Sequence, residues 1–135
     1  MNFTEKVLFV DDEPNILSAI KRQLHNQFNI ETAPSGDVAI TKLIDEGPFA
    51  VIVVDMRMPG MDGLETLKEL KKKSPLTEVI MLTGHGSIES GMQGMQLGAF
   101  DYVVKPADFE ELFEKINQAG ERRMLHEERI RKNLS

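Results

Sequence analysis

The sequence predicts an α/β fold in which one parallel five-stranded sheet is flanked by five helices. Five short apolar runs rich in β-forming residues alternate strictly with five segments whose apolar residues recur at helical spacing. One of these runs, residues 49–54, is apolar at every position, which is typical of a strand buried on both faces of a parallel sheet. Strands joined by helices must run parallel with right-handed crossovers, so the pattern indicates a doubly wound sheet.

The first strand is expected at Lys6–Val10, and Pro14 suits the first turn of the helix that follows it. The second strand, Asn29–Ala33, is more polar than the others, so we expect it at an edge of the sheet. After Ser35-Gly36 the spacing predicts a second helix, which Gly47-Pro48 ends.

The remaining strands are predicted at residues 49–54, 78–82 and 100–104. Asp62 and Asp108 each precede an apolar helical pattern and have a glutamate three residues later. This capping-box spacing predicts that they open the third and fifth helices.

The fourth helix is unusual because Gly91 and Gly94 lie inside it, next to the flexible residues Met92 and Met95. Its apolar residues, at helical spacing, are Ile88, Met92, Met95 and Ala99, and Ser87 can cap it. The pattern fits tight packing against the sheet, and it also fits a loosely held element that repacks during switching.

We expect one domain over residues 1–120 and a C-terminal helical extension or linker over residues 121–135. The charge changes at this boundary: residues 121–135 carry five basic and three acidic side chains, whereas the whole chain has a net charge of −6. A heptad seam runs into the extension, but Arg123 and His126 interrupt it. Both a linker and a signalling helix leading to an output domain or a dimer are therefore open.

Composition excludes several classes of protein. The chain has no cysteine, which excludes a disulfide framework, a thiolate zinc site and a cysteine nucleophile. Its longest apolar run is too short to cross a membrane, and its first residues do not resemble a signal peptide. We expect a cytoplasmic protein with no membrane partner, and its negative charge does not favour direct binding of nucleic acid.

Polar residues follow the predicted strands: Asp11 and Asp12 after the first, Asp55 after the third, Thr83 after the fourth and Lys105 after the fifth. The carboxyl ends of parallel strands share one edge of the sheet, where ligands bind at the topological switch point. The strand order 2-1-3-4-5, which is flavodoxin-like, would place the two acidic strand ends beside each other at that point.

Three converging carboxylates repel one another, and a bound cation is the usual resolution. Oxygen ligands alone suit Mg²⁺, Mn²⁺ or Ca²⁺. The neighbouring lysine and hydroxyl suit a phosphoryl group, and an aspartate can itself be the nucleophile that accepts it.

Four motifs carry a resemblance to the receiver domain of two-component response regulators, a CheY-like domain. They are the pair Asp11-Asp12, DMRMPGMDG around Asp55, Thr83-Gly84, and GAFDYVVKP ending in Lys105-Pro106. The resemblance covers residues 6 to about 120, and all four motifs occur in order at strand ends.

The resemblance implies a role for each matching position around the acceptor. Asp55 matches the phospho-acceptor, and Asp12 is similar to the main side-chain ligand of Mg²⁺. Asp11 would act on the metal indirectly or through water, and the backbone carbonyl of Arg57 would be the third protein ligand. Arg57 and His85 match positions that tune dephosphorylation in the family.

The same resemblance implies a switch. Lys105 would pair with the phosphoryl group, and Thr83 would supply the hydroxyl that moves to a phosphoryl oxygen. Tyr102 matches the aromatic residue that swings inward when the hydroxyl moves. The family also has a cis peptide at the position of Lys105-Pro106.

The function implied is a phosphorylation-controlled switch. A histidine kinase or phosphotransfer protein would donate to Asp55 with Mg²⁺, and the face of the fourth helix, fifth strand and fifth helix would change for a downstream effector, a further output domain or a second copy. The protein would catalyse only its own phosphorylation and slow dephosphorylation.

Three alternatives use other chemistry. A Mg²⁺-dependent phosphohydrolase also forms an aspartyl-phosphate, but it requires an aspartate where this chain has Arg57. A flavin-binding module requires stacking aromatics, and the chain has no tryptophan and one tyrosine. A binding module that ignores phosphorylation is the third.

Overall fold

A computed structural model describes residues 6–58, 60–84 and 88–134 of the chain. The strands and helices alternate as predicted. The strands are β1 (Lys6–Val10), β2 (Asn29–Ala33), β3 (Val51–Asp55), β4 (Glu78–Thr83) and β5 (Asp101–Val104). The helices are α1 (Pro14–Leu24), α2 (Gly36–Glu46), α3 (Gly63–Lys73), α4 (Ile88–Gln96) and α5 (Phe109–Leu134).

The five strands form one parallel sheet in the order β2-β1-β3-β4-β5. The doubly wound fold and the predicted strand order are thereby confirmed, and β2 lies at an edge. Every residue of β3 and β4 is buried, as expected for strands covered by helices on both faces.

Successive side chains of each strand enter two separate cores. Val7 and Phe9 of β1 pack with Leu112 and Ile116 of α5 on one face of the sheet. On the other face Leu8 and Val10 pack with residues of α2 and α3, among them Leu67. This alternation fixes which end-of-strand residues point to which helices.

Two strands start later than predicted, and β3 and β4 each end one residue later than predicted, at Asp55 and Thr83. β3 begins at Val51, although Phe49 and Ala50 before it are fully buried. The Phe49 carbonyl accepts a hydrogen bond from the Thr77 hydroxyl at 2.7 Å, outside the ladder between strands. A run of apolar residues predicts which residues are buried, and here the buried segment begins two residues before the strand. β5 likewise begins at Asp101, one residue later than predicted.

The predicted helix caps are present where the structure describes them. The Asp62 side chain accepts a hydrogen bond from the Glu65 N–H at 2.9 Å. Ser35, which was not predicted as a cap, accepts from the Val38 N–H at 3.2 Å at the start of α2. Asp108 accepts from the Glu110 N–H at 3.0 Å at the start of α5. The predicted cap Ser87 lies outside the described residues.

Helix α4 packs tightly against the sheet, which is one of the two interpretations that the sequence left open, but the contact is made by its glycines and not by Met92 and Met95. These side chains are 56% and 42% exposed, whereas Gly91 and Gly94 face inward and are buried. The reason lies in β4 and β5, whose Met81 and Tyr102 side chains fill the space beneath α4: a Cβ at Gly91 would collide with the Tyr102 ring, and a Cβ at Gly94 would press on Met81.

Helix α5 continues without a break through the predicted extension to Leu134. The seam residue Arg123, which interrupts the apolar pattern, is buried and pairs with Glu127 at 2.8 Å. Within the described ranges, no helix has the length and apolar character needed to cross a membrane.

An ion pair attaches the extension to Glu78 at the start of β4, and Lys71 of α3 also lies near the Glu78 carboxylate. Arg122 Nε lies 3.0 Å from Glu78 Oε2, and Lys71 Nζ lies 3.8 Å from Glu78 Oε1. The Arg122 guanidinium also lies 5.6 Å from the centroid of the Phe100 ring. Glu78 is nearly fully buried, so its charge depends on these partners.

The Thr77 hydroxyl tests the packing before β3. Thr77→Val keeps the shape of the side chain but leaves the buried Phe49 carbonyl without its donor. We expect a loss of about 1–3 kcal/mol in the free energy of unfolding, measured by urea denaturation. Ser74→Ala, which removes the outer partner of the same hydroxyl, is the control and should cost less. Equal losses in both variants would contradict this account.

Candidate functional site

Three carboxylates meet at the carboxyl edge of the sheet. Asp11 and Asp12 follow β1 directly, and Asp55 is the last residue of β3, the strand that pairs with β1. One oxygen of each lies within 4.8 Å of the others. Asp11 and Asp55 are 1% and 4% exposed, whereas Asp12 is open to solvent. The predicted acidic cluster is therefore assembled.

Asp11 is the most constrained member of the cluster. Its Oδ1 accepts a hydrogen bond from the Glu13 N–H at 3.0 Å. Its Oδ2 is buried and has no hydrogen-bond partner within residues 6–58, 60–84 and 88–134. Burial raises the pKa of Asp11, the Glu13 N–H opposes that rise, and the charge of Asp55 adds to it.

Lys105 supplies the positive charge at the site. Its Nζ lies 3.0 Å from Asp55 Oδ1 and 3.6 Å from Asp11 Oδ2. Burial lowers the pKa of Lys105, but its hydrogen bond with Asp55 and the nearby carboxylates outweigh burial and raise the pKa overall. The Lys105 N–H donates to the Thr83 carbonyl at 2.8 Å, and the Lys105-Pro106 peptide is cis, as the resemblance implied.

The acidic cluster fits a hard divalent cation such as Mg²⁺. Its donors are all carboxylate oxygens, which such ions prefer. Among the described residues the buried Asp11 Oδ2 has the Lys105 ammonium at 3.6 Å but no hydrogen-bond donor, and a cation beside it would also relieve the repulsion between Asp11 and Asp55. The Arg57 N–H approaches Asp55 Oδ1 at 3.4 Å, and the role of the Arg57 carbonyl as a ligand stays a prediction.

Thr83 ends β4 beside the acidic cluster. It is fully buried, and its hydroxyl has no hydrogen-bond partner in the part of the chain that the structure describes. Such a group is costly to leave unpaired. Tyr102 of β5 is opposite Met81 in the register and is half-buried beneath α4. The switch roles of Thr83 and Tyr102 remain predictions, and His85 lies outside the described residues.

Sequence reasoning missed Gly63 as a site residue. A Cβ at Gly63 would lie 2.6 Å from both the Asp55 carbonyl oxygen and the Met56 Cα. Glycine therefore lets the first turn of α3 rest directly on the end of β3 and helps to fix Asp55. A glycine at the first position of a helix after a capping aspartate was the available signal.

An apolar groove of about 480 Å³ opens beside Lys105, between α1 and the start of α5. It is lined by Ile16, Ile20, Pro106 and Phe109, with Glu13 among its few polar residues. The sequence patterns predicted these residues as helix faces and loop, without indicating that they enclose a groove next to the site.

Comparison with known proteins decides the family. A sequence profile of the response regulator receiver domain matches residues 7–117. The chain belongs to this family. The predicted resemblance is confirmed, and the receiver is a module of two-component signalling.

Two named proteins illustrate the similarity. The receiver is 36% identical to the regulatory protein AtoC of Escherichia coli over 113 residues, which are 83% of this chain and 24% of AtoC. It is 36% identical to a putative NtrX-like response regulator of Rickettsia conorii, over 92% of this chain and 27% of that protein. The chain thus spans about a quarter of the length of these curated relatives, which are named as regulators and not as enzymes.

A crystal structure of a response regulator receiver domain protein from Clostridium thermocellum shares the fold. It superposes with a TM-score of 0.85 at 36% identity, covering 90% of this chain and 98% of that one.

Asp11 gives the receiver a pH-dependent stability. Its folded pKa lies above the ordinary value of 3.8, so the folded state binds this proton more tightly than the unfolded state does. The protonated Asp11 carboxyl contributes fully to the stability of the folded state below pH 3.8, and this contribution is lost as the pH rises through the folded pKa. Ionised Asp11 therefore opposes folding at neutral pH.

In buffer containing EDTA, Asp11→Asn should therefore raise the urea midpoint near neutral pH. The gain should shrink as the pH falls toward the ordinary pKa of aspartate. The amide can still accept from the Glu13 N–H, so that bond is kept. Excess Mg²⁺ should reduce or reverse the gain, because ion binding stabilises the wild type more. A lower midpoint for the variant in EDTA would refute this assignment.

Proposed function

We propose that the receiver accepts a phosphoryl group on Asp55 from a histidine kinase or a histidine phosphotransfer protein, with Mg²⁺ bound at the acidic cluster. One observation carries the proposal. The Asp55 carboxylate lies at the carboxyl edge of the sheet, between an ammonium group 3.0 Å away and two further carboxylates. The carboxylates suit a divalent metal ion, and the Lys105 ammonium suits the negatively charged oxygens of a phosphoryl group.

The transfer exchanges one bond for another. An Asp55 oxygen attacks phosphorus, the bond from phosphorus to the imidazole nitrogen of the donor breaks, and its electron pair stays on that nitrogen. Asp12, Asp55 and the Arg57 carbonyl would hold Mg²⁺, with Asp11 acting indirectly or through water, and the ion would neutralise part of the phosphoryl charge. Lys105, whose Nζ lies 3.0 Å from Asp55 Oδ1, would pair with a phosphoryl oxygen.

Slow hydrolysis resets the switch. Water attacks the phosphorus of the aspartyl-phosphate, inorganic phosphate leaves, and the Asp55 carboxylate is restored. Arg57 stands two residues after the acceptor and is exposed, so its side chain can order or obstruct that water. The same position excludes the aspartate that a phosphohydrolase of the rival kind requires.

The phosphoryl group would also supply a partner for the Thr83 hydroxyl, which has none among residues 6–58, 60–84 and 88–134. The hydroxyl would donate to a phosphoryl oxygen, drawing the end of β4 toward Asp55. Tyr102 would then turn inward on the neighbouring strand. Each step improves the hydrogen bonding or the burial of a group that is poorly satisfied beforehand.

The output surface is the face formed by α4, β5 and α5. Met92, Met95 and Val104 are exposed on it, and flexible methionines suit contact with a protein partner. Since curated relatives are about four times as long as the matched region, we propose that this surface serves an effector or a further output domain. A second copy on phosphorylation is the other candidate.

The receiver unit would end near residue 120, with the helix of 121–135 leading onward as extension or linker. The groove beside Lys105 offers the donor protein an apolar docking site next to the acceptor. Donor and receiver would meet in the cytoplasm.

Acceptance of phosphate is measured by intact mass. Incubation with Mg²⁺ and acetyl phosphate should add one phosphate to the wild type and none to Asp55→Asn. Asp37→Asn, an exposed aspartate in the first turn of α2, is the matched control and should be modified like the wild type. EDTA should abolish the addition. Wild type left unmodified while it binds Mg²⁺ would favour the phosphorylation-independent binding module.

Thr83→Val separates switching from stability. The variant loses a buried hydroxyl that has no partner among the described residues, so its urea midpoint should equal or exceed that of the wild type. It should take up phosphate but lose the change in fluorescence of Tyr102, the one tyrosine in a chain without tryptophan. A normal fluorescence change in the variant would show that the hydroxyl is not the switch.

A further inference from the structure

Helix α4 packs over the Tyr102 ring at a glycine, Gly91. A Cβ at Gly91 would lie 2.9 Å from Cγ and Cδ2 of the Tyr102 ring and 3.1 Å from Cδ1. These distances are shorter than side-chain carbons tolerate, so the backbone of α4 already touches the ring and even alanine does not fit without a shift. A glycine inside a helix is unfavourable compared with alanine, and close packing is the reason for it here.

The second buried glycine of α4 has a softer neighbour. A Cβ at Gly94 would meet the Met81 Cγ at 3.2 Å and the Ala99 Cβ at 3.9 Å. Methionine has three rotatable bonds and can move aside. The aromatic ring under Gly91 has only two side-chain torsions, and the nearest atoms, Cγ and Cδ2, lie close to the backbone of β5 and cannot swing aside as the far end of a methionine can. Gly91 is thus the rigid contact of the pair.

Tyr102, Met81 and Thr83 face the same side of the sheet. Met81 is opposite Tyr102 in the register, and Thr83 follows two residues later on β4, so the alternation of a strand puts all three beneath α4. The ring consequently lies on the same face as the unpartnered Thr83 hydroxyl, with the backbone of Gly91 packed against it.

We infer that Gly91 is a positioning residue that ties the Tyr102 ring to helix α4, so that the ring cannot turn without moving the helix. The part of this inference that concerns switching rests on the proposed function. Met92 follows Gly91 directly and is exposed, so a movement of the ring that moves the helix also moves Met92 on the outer surface of the helix. Bulk at position 91 uncouples this linkage, because the ring is displaced before any phosphorylation.

The first test uses Tyr102 as a spectroscopic probe, since it is the only tyrosine and the chain has no tryptophan. Acrylamide quenching of its emission is compared in wild type, Gly91→Ala and the matched control Gly94→Ala, all unphosphorylated. A displaced ring should change the quenching constant of Gly91→Ala roughly twofold, because a new rotamer alters its exposure. Gly94→Ala should match the wild type. Equal quenching in Gly91→Ala and wild type overturns the inference.

A double-mutant cycle covers the case in which Gly91→Ala folds poorly. In a Tyr102→Ala background the collision is gone, so alanine at 91 should raise the melting temperature as the better helix former. With Tyr102 present it should raise the melting temperature less or lower it. The same change in both backgrounds, including loss of folding in both, overturns the inference.

Phosphorylation with acetyl phosphate and Mg²⁺ completes the experiment. Gly91→Ala should take up phosphate at Asp55 as the wild type does by intact mass, yet lose the phosphate-dependent change in Tyr102 emission. A wild-type emission change in the variant overturns the coupling. If the wild type itself takes up no phosphate, the proposed function fails, while the quenching and the cycle still decide whether Gly91 positions the ring.

Discussion

The repulsion between carboxylates at the edge of the sheet is the constraint on which the rest of this receiver depends. Asp11 and Asp55 are both nearly buried and adjacent, which is unfavourable without compensation. Lys105 compensates in part from β5, at the far side of β4, so three different strands must end at the correct height for the site to exist. The parallel register, the two helix layers and the glycine contact of α3 on the end of β3 all serve that alignment. The residual electrostatic cost keeps the site ready for a cation and for a ligand whose charge reorganises it.

Local patterns were sufficient to predict most of this arrangement. Alternation of strands and helices sets the topology, and side chains such as Asp62 cap helices through contacts three residues away, so neighbouring residues contain the required information. The converging site could also be predicted, because the carboxyl ends of parallel strands necessarily share an edge. Lys105, predicted at the same edge, lies 3.0 Å from Asp55, where the carboxylate satisfies its half-buried charge.

The features that the sequence did not predict depend on contacts between distant parts of the chain. The inner face of α4 could not be assigned from periodicity, because methionine is as apolar as a core residue and only the bulk of Tyr102 and Met81 beneath the helix excludes it. The start of β3 was shifted by a hydroxyl on Thr77, 28 positions away. The polar Arg123 was expected to interrupt a seam, yet it is buried because a glutamate one turn later pairs with it. The apolar groove beside Lys105 likewise exists only after α1 and α5 are placed on the same face.

The ion pair between Arg122 and Glu78 couples the C-terminal part of α5 to the start of β4. Glu78 begins the strand that ends in Thr83, so one buried strand connects the helix to the edge of the sheet that carries the acidic cluster. Residues 122–134 of the helix extend about 18 Å at the usual rise of an α-helix, and a tilt of about 10° at the Arg122 contact would displace Leu134 by about 3 Å. Small adjustments at the start of β4 would thus become large displacements at the tip, where a distance measurement between two labels can read them.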